Sequence, residues 1–197
     1  MRIKGGVPKQ PVFIPLLLGT TREGRLSECA AKFVLEVISK RNDLTAEFFD
    51  VRDFDFGGSE GRSMKNKNPQ WRDAMLRADG LLIVTPEYNR GYPGSLKMAL
   101  DMLLDEYDHK AVGLMGVSDG PMGGARVIEG LLPVMRIFGL AVSGYTVYFS
   151  NADTLFATGA MTAGEVERYT KSVNRLLDDV VFLARSLRWG REQLQST

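Results

Sequence analysis

The run Leu81-Leu82-Ile83-Val84-Thr85 is apolar at nearly every position. A strand without a polar face belongs in the middle of a parallel sheet that helices cover on both sides. Four further segments read as strands: residues 12–18, 46–51, 111–117 and 142–148. Between them apolar residues fall at helical spacing. Ala31, Val34, Leu35 and Ile38 mark a helix over 28–41, and Trp71, Met75 and Leu76 mark one starting at Pro69. Leu96, Ala99, Leu100, Leu103 and Leu104 mark a helix over 94–106, and another covers 124–138. A long helix over 163–188 is apolar at Val166, Tyr169, Val173, Leu176, Leu177 and Val180. Such alternation specifies an α/β chain, doubly wound with right-handed crossovers, whose ligands meet the carboxyl ends of the strands. Pro15 interrupts the first strand, so regular pairing is expected from Leu16 onward. Residues 52–68, with Gly57, Gly58 and Gly61, read as a mobile loop. A flexible tail over 1–11, one domain over 12–190 and a C-terminal tail over 191–197 complete the expected organisation.

Three loops follow strands and carry the chemistry. In the first, Leu16-Leu17-Leu18 ends in Gly19, and a polar loop leads into a helix near Ser27. A helix start offers free N–H groups and the positive end of a dipole, which together attract an anion. Thr20, Thr21 and Ser27 add hydroxyls, Arg22 and Arg25 add charge, and Gly19 and Gly24 permit close backbone approach. The segment misses the nucleotide triphosphatase pattern, because Arg25 and Leu26 stand where lysine and a magnesium-binding hydroxyl are required. It misses the dinucleotide pattern too, since Thr21 holds the second glycine position. A monophosphate held without metal remains, which favours FMN over ATP or NAD. A strand-to-helix turn with no ligand also uses glycine and serine.

The second loop, from Thr85 through Pro86-Glu87-Tyr88-Asn89-Arg90-Gly91-Tyr92-Pro93 to Gly94, is stiffened by prolines and presents ring faces and an amide. It suits the edge of a planar heterocycle, or serves as a rigid connection into a helix. The third, Ser118-Asp119-Gly120-Pro121-Met122-Gly123-Gly124, removes side chains where backbone could approach a flat ligand.

Composition narrows the function. A net charge of +1 leaves no basic excess to neutralise a nucleic-acid backbone. One cysteine, Cys29, excludes an intrachain disulfide and fits a reducing compartment, so the cytoplasm is expected. With one histidine besides, His109, ordinary zinc sites lack ligands. No apolar run is long enough to span a bilayer, and no membrane partner is expected. His109 lies in a charged turn and reads as solvated, and Cys29 reads as packed. Met98 and Met102, beside Val127, Leu131 and Met135, read either as core or as a face for a second subunit.

Gly19-Thr20-Thr21-Arg22-Glu23-Gly24, Pro86-Glu87-Tyr88-Asn89 with Pro93-Gly94-Ser95-Leu96-Lys97, and residues 118–124 together resemble the NADPH-dependent FMN reductase family. The resemblance covers roughly residues 12–150 and includes flavin, quinone, chromate and azo-dye reductases. It implies a flavodoxin-like fold with five parallel strands in the order 2-1-3-4-5 and helices on both faces. It implies FMN as cofactor and NADPH as co-substrate, with hydride passing to flavin N5 and electrons then reaching a small-molecule acceptor. No side chain is implied as a catalytic group, although Asn89 could tune the ring. The phosphate contacts map onto Thr20, Arg22, Arg25 and Ser27. Pro86, Glu87, Tyr88 and Asn89 map along the ribityl chain and ring, and Ser118 and Gly120 support its pyrimidine side. Arg22, Arg90 and Arg126 are candidates for the NADPH 2′-phosphate, and a homodimer or homotetramer is implied. Family members often carry serine at the Arg25 position and asparagine at the Ser27 position. A flavodoxin-type electron carrier and a flavin-free binding module remain as alternatives, though carriers are usually strongly acidic.

Overall fold

The computed structural model describes residues 10–58, 61–159 and 161–194. Its elements in chain order are β1 (Val12–Phe13), β2 (Leu16–Leu18), α1 (Ser27–Ser39), β3 (Leu44–Thr45), β4 (Phe48–Asp50) and α2 (Pro69–Arg77). They continue with β5 (Gly80–Pro86), α3 (Gly94–Asp101), β6 (Ala111–Val117), α4 (Ala125–Ile137), β7 (Ala141–Phe149), α5 (Ala152–Leu155) and α6 (Ala163–Leu194).

Five parallel strands form one sheet in the order β4-β2-β5-β6-β7. Pro15 divides the first expected strand into β1 and β2, and the second divides into β3 and β4. Counted as whole strands, the order is 2-1-3-4-5. The detached pieces form their own parallel pair, Val12 opposite Leu44 and Phe13 opposite Thr45. Beyond Pro15 the main register begins, with Leu16 opposite both Phe48 and Leu82. The apolar run of β5 lies between β2 and β6 and is buried from Gly80 to Thr85.

Because side chains alternate across a strand, each strand feeds two cores. Leu16, Leu18, Leu82 and Val84 pack with Val34 of α1 and Val173 and Leu177 of α6. Leu17, Leu81 and Ile83 pack on the opposite face with Trp71, Leu96 and Leu131 from α2, α3 and α4. The outcome is a three-layer sandwich whose βα loops all emerge at one rim.

Several boundaries differ from expectation. Residues 52–68 are not simply a loop: 3-10 turns occupy Val51–Asp53 and Gly61–Lys67, and Met64 is buried beside Trp71 in the second core. The helix expected to reach Glu106 stops at Asp101, and a 3-10 turn follows over Asp105–Tyr107. There the Leu104 N–H donates to the Glu106 carboxylate at 3.2 Å instead of continuing the helical ladder. α6 runs to Leu194, so residues 191–194 belong to it and not to a tail. Val166, expected in the core, is exposed. Met102, Val127, Leu131 and Met135 are buried within this chain, so of the two readings of that stripe core packing holds at these four positions. The expected N-terminal tail falls mostly outside the described residues.

The opposite rim, at the strand starts, is closed by ion pairs. The Asp79 side chain is only 6% exposed. It accepts from the Phe13 N–H at 2.9 Å, Arg188 Nε at 2.6 Å and Arg191 Nη2 at 3.1 Å. Arg188 also donates to the Pro11 carbonyl and Arg191 to the His109 carbonyl. This double engagement explains why α6 persists so far. The Lys110 ammonium is buried against the Met75 and Leu76 carbonyls. Burial, reinforced by the Arg191 charge, lowers its pKa to about 8.

Candidate functional site

The loops after β2, β5 and β6, joined by Ala152 after β7, surround a cavity of about 150 Å³. Arg22, Gly24, Arg25, Leu26 and Ser27 line it from the first loop. Pro86, Glu87 and Tyr88 come from the second, and Val117, Ser118 and Asp119 from the third. Seven of the ten expected cofactor residues therefore line one cavity. An eighth, Thr20, is buried behind it and bonds Tyr88, its Oγ1 lying 2.8 Å from the phenol oxygen. Asn89 and Gly120 lie outside the lining, on exposed turns.

The first loop presents unused donors. Ser27 Oγ is buried without a hydrogen-bond partner. The backbone N–H groups of residues 23–27 make no hydrogen bond to any described residue. The N-cap residue of α1, Leu26, makes no side-chain cap, so among the described residues none competes for its first turn. Gly24 takes a left-handed φ of +65°, and a Cβ there would meet open space. Gly19 has a different task from close ligand approach: a Cβ on it would stand 3.0 Å from Leu96 Cδ2.

Arg25 lines the cavity with its Nε free of hydrogen bonds, while the rest of its guanidinium is engaged within the chain. Its side chain is 2% exposed and forms a forked pair with Asp50, including an Nη1–Oδ1 bond of 2.8 Å. It also donates to the Thr20 carbonyl and lies 3.4 Å from Glu28. Two carboxylates thus neutralise a charge that the sequence suggested for the ligand. Arg22 remains exposed at the cavity, its guanidinium 5.8 Å from the Tyr88 ring centroid.

In the second loop, Tyr88 and Gly91 exchange both backbone hydrogen bonds at 2.9 Å around Asn89 and Arg90. Those two residues have φ of +49° and +67°, the pattern of a type I′ turn, in which asparagine is well tolerated. The Glu87 carboxylate turns away to α4, accepting the Arg126 N–H at 3.1 Å and pairing with its guanidinium at 3.6 Å. Glu87 is therefore a helix cap that also ties Arg126 to the rim.

The third loop corrects a second expectation. A Cβ on Gly123 would stand 2.8 Å from the Tyr148 carbonyl carbon, and one on Gly124 2.8 Å from the Val117 nitrogen. These glycines serve the loop's own packing over β6 and β7 rather than ligand approach. Gly120 is exposed, and its carbonyl accepts from Gly123 and Asn151. Ser118 Oγ donates to that same carbonyl at 3.2 Å. Cys29 is half-buried against the first core, and His109 is exposed.

A larger recess, about 500 Å³, lies along α6 by Phe182, Arg185 and Trp189, but no strand-end loop reaches it. Among the described residues no group of three metal-ligating side chains is present, and no helix is long and apolar enough to cross a membrane.

The model of the NADPH-dependent FMN reductases matches residues 14–154, which contain all three loops. The chain belongs to that family. A Schizosaccharomyces pombe NAD(P)H-dependent FMN reductase is 32% identical over 120 residues, covering 56% of this chain and 59% of that protein. A Staphylococcus aureus FMN-dependent NADPH-azoreductase is 31% identical over 140 residues, covering 64% of this chain and 71% of that enzyme. The solved flavoenzyme NAD(P)H:(acceptor) oxidoreductase of Paracoccus denitrificans shares the fold, with a TM-score of 0.69 and 21% identity. It covers 86% of this chain and 97% of its own. Within this family frame, two contributors escaped the sequence reading. Ala152 follows the last strand, where the carboxyl-end rule alone would have pointed. Asp50 ends β4, Arg52 follows it, and both bond the first loop.

Proposed function

We propose that this chain is an FMN-dependent NADPH oxidoreductase that delivers electrons to a small-molecule acceptor such as free flavin, a quinone, an azo dye or a metal oxyanion. The observation that carries the reading is the cavity itself: three βα loops meet where a buried hydroxyl and five backbone N–H groups have no hydrogen-bond partner among the described residues. Such a constellation suits a phosphate, because each donor gains a charge-assisted bond that it otherwise lacks. FMN supplies the hydride-accepting isoalloxazine when bound.

In this reading Ser27 and the N–H groups of residues 23–27 hold the phosphate, and exposed Arg22 neutralises it. Thr20 acts through Tyr88, whose hydroxyl it fixes, and Pro86 stiffens the turn that presents Asn89. The enclosed volume suits a phosphate and part of its attached chain, so the flavin ring extends across the open surface near Tyr88, Asn89 and Gly120. Ser118 braces that surface by holding the Gly120 carbonyl. Arg126, exposed and tied to Glu87, and Arg90 at the turn tip are placed to attract the NADPH phosphate.

One domain over residues 12–194 carries this activity in the proposal. A homodimer that uses exposed Leu132 and Ile137 of α4, in a cytoplasm that supplies NADPH, belongs to the same reading. Purified protein is expected to be yellow or to turn yellow with added FMN, absorbing near roughly 450 nm as oxidised flavins do. It should oxidise NADPH when quinone or flavin is supplied. Colourless protein that refuses FMN would overturn the reading. Flavin binding without NADPH oxidation would leave an electron carrier instead.

A further inference from the structure

We propose that Arg25, Asp50 and Arg52 form a positioning frame that shapes the phosphate loop without touching the phosphate. This inference rests on the FMN reading above.

The frame lies on the β4 side of the loop. Arg25 donates to the Thr20 carbonyl, and Arg52 donates to the Thr21 carbonyl at 3.2 Å and to the Arg22 carbonyl. Three consecutive carbonyls are thus captured by two guanidinium groups. Asp50 holds both arginines: its carboxylate forks onto Arg25, and Oδ1 also accepts the Arg52 backbone N–H at 2.9 Å. Glu28 adds a second carboxylate, 3.4 Å from Arg25 and 4.0 Å from Arg52. Two positive and two negative groups leave the frame close to neutral.

A trans peptide points its carbonyl and the following N–H in opposite directions. Drawing the carbonyls of Thr20, Thr21 and Arg22 toward β4 therefore turns the following N–H groups the other way: that of Arg22 bonds Thr20 Oγ1 at 3.3 Å, and that of Glu23, which opens the 23–27 run, is turned toward β5. That is the side on which Pro86, Glu87 and Tyr88 line the cavity. The frame sets the loop's polarity while contributing almost no net charge. Arginine suits this role, because its planar fork spans several acceptors and a lysine ammonium cannot. Asp50 is 13% exposed, so it works where water competes weakly.

The test compares FMN with riboflavin, which has the same ring and ribityl chain but no phosphate. Dissociation constants are read from quenching of flavin fluorescence in wild type, Asp50→Asn and Arg52→Met, with a urea melt of each. In wild type, FMN should bind at least a hundredfold more tightly than riboflavin. Either substitution should weaken FMN about tenfold and leave riboflavin within twofold, and Arg25→Lys should behave as Asp50→Asn does. Arg52 is partly exposed, so its variant still decides the matter if Asp50→Asn fails to fold. Unchanged FMN affinity overturns the frame. Tighter FMN binding by Asp50→Asn overturns it too, because a released Arg25 would then be a phosphate ligand. Parallel loss of both flavins makes the residues merely structural, which also overturns it. Wild type that binds neither flavin, or both equally, rejects the FMN reading instead.

Discussion

The two rims of the sheet both carry arginines against a carboxylate, and they use them to opposite ends. At the strand starts, Asp79 is wrapped by Arg188, Arg191 and the Phe13 N–H, and those arginines also reach main-chain carbonyls. At the strand ends, Asp50 holds Arg25 and Arg52 while Ser27 Oγ and a run of N–H groups stay unpartnered among the described residues. Ion pairing therefore does not mark the ligand site. Unused hydrogen-bonding capacity that opens onto a cavity does: Trp71 Nε1 and Tyr107 Oη are also buried without a hydrogen bond, but neither residue lines this cavity, and a buried donor without a partner costs about 1–3 kcal/mol unless something else satisfies it.

The sharpest way to break this contrast is Asp79→Ala. Removing the carboxylate strands two partly buried guanidinium groups beside Lys110, and unfolding free energy should fall by about 3 kcal/mol in a urea melt. FMN affinity should stay within twofold. A matching loss of FMN binding would mean that the two rims are not independent.

Gly124→Ala tests whether the third loop is scaffold or ligand surface. At φ +87°, with Val117 nitrogen 2.8 Å from the new Cβ, the substitution should cost about 2 kcal/mol of stability. Stability left intact with flavin binding lost would return that glycine to the ligand.

Ser27→Ala should separate binding from folding. FMN affinity is expected to drop roughly tenfold, the worth of one hydrogen bond to a charged group. Stability of the flavin-free chain should hold or rise slightly. A clear loss of stability would show that the hydroxyl has a partner within the fold.

A pH-dependent effect concerns Lys110. Its folded pKa of about 8 lies below the roughly 10.4 of an unfolded lysine. Between those values the unfolded chain binds more protons, so wild-type stability should rise with pH across that window. Below it both states are charged and the burial penalty is fully present. Subtracting the melting temperatures of Lys110→Met from those of wild type, from pH 7 to 10, should reveal this rise.

Much of this was legible in the sequence. The apolar run of β5, the Pro15 break and the helical spacings gave the layered architecture, because local periodicity reports burial directly. The three loops were visible since each follows its own strand. The pairing of Arg25 was hidden because a formal charge says nothing about which carboxylate lies beside it, and Asp50 is twenty-five residues away. Gly123 and Gly124 were misassigned for a related reason: their crowding comes from Val117 and Tyr148, contacts that only the folded chain creates. The early end of α3 turned on a side-chain bond from Glu106 that competes with the helix, which spacing does not reveal.

The clamp of α6 onto the first strand has a practical corollary. Gln10 sits beside Arg188 and Trp189, and Leu194 sits beside His109, so both ends of the described chain leave from the Asp79 rim. A tether attached at position 10 or 194, to a bead or an electrode, would anchor the molecule by its closed side. The mouth would then face outward, open to dissolved reactants.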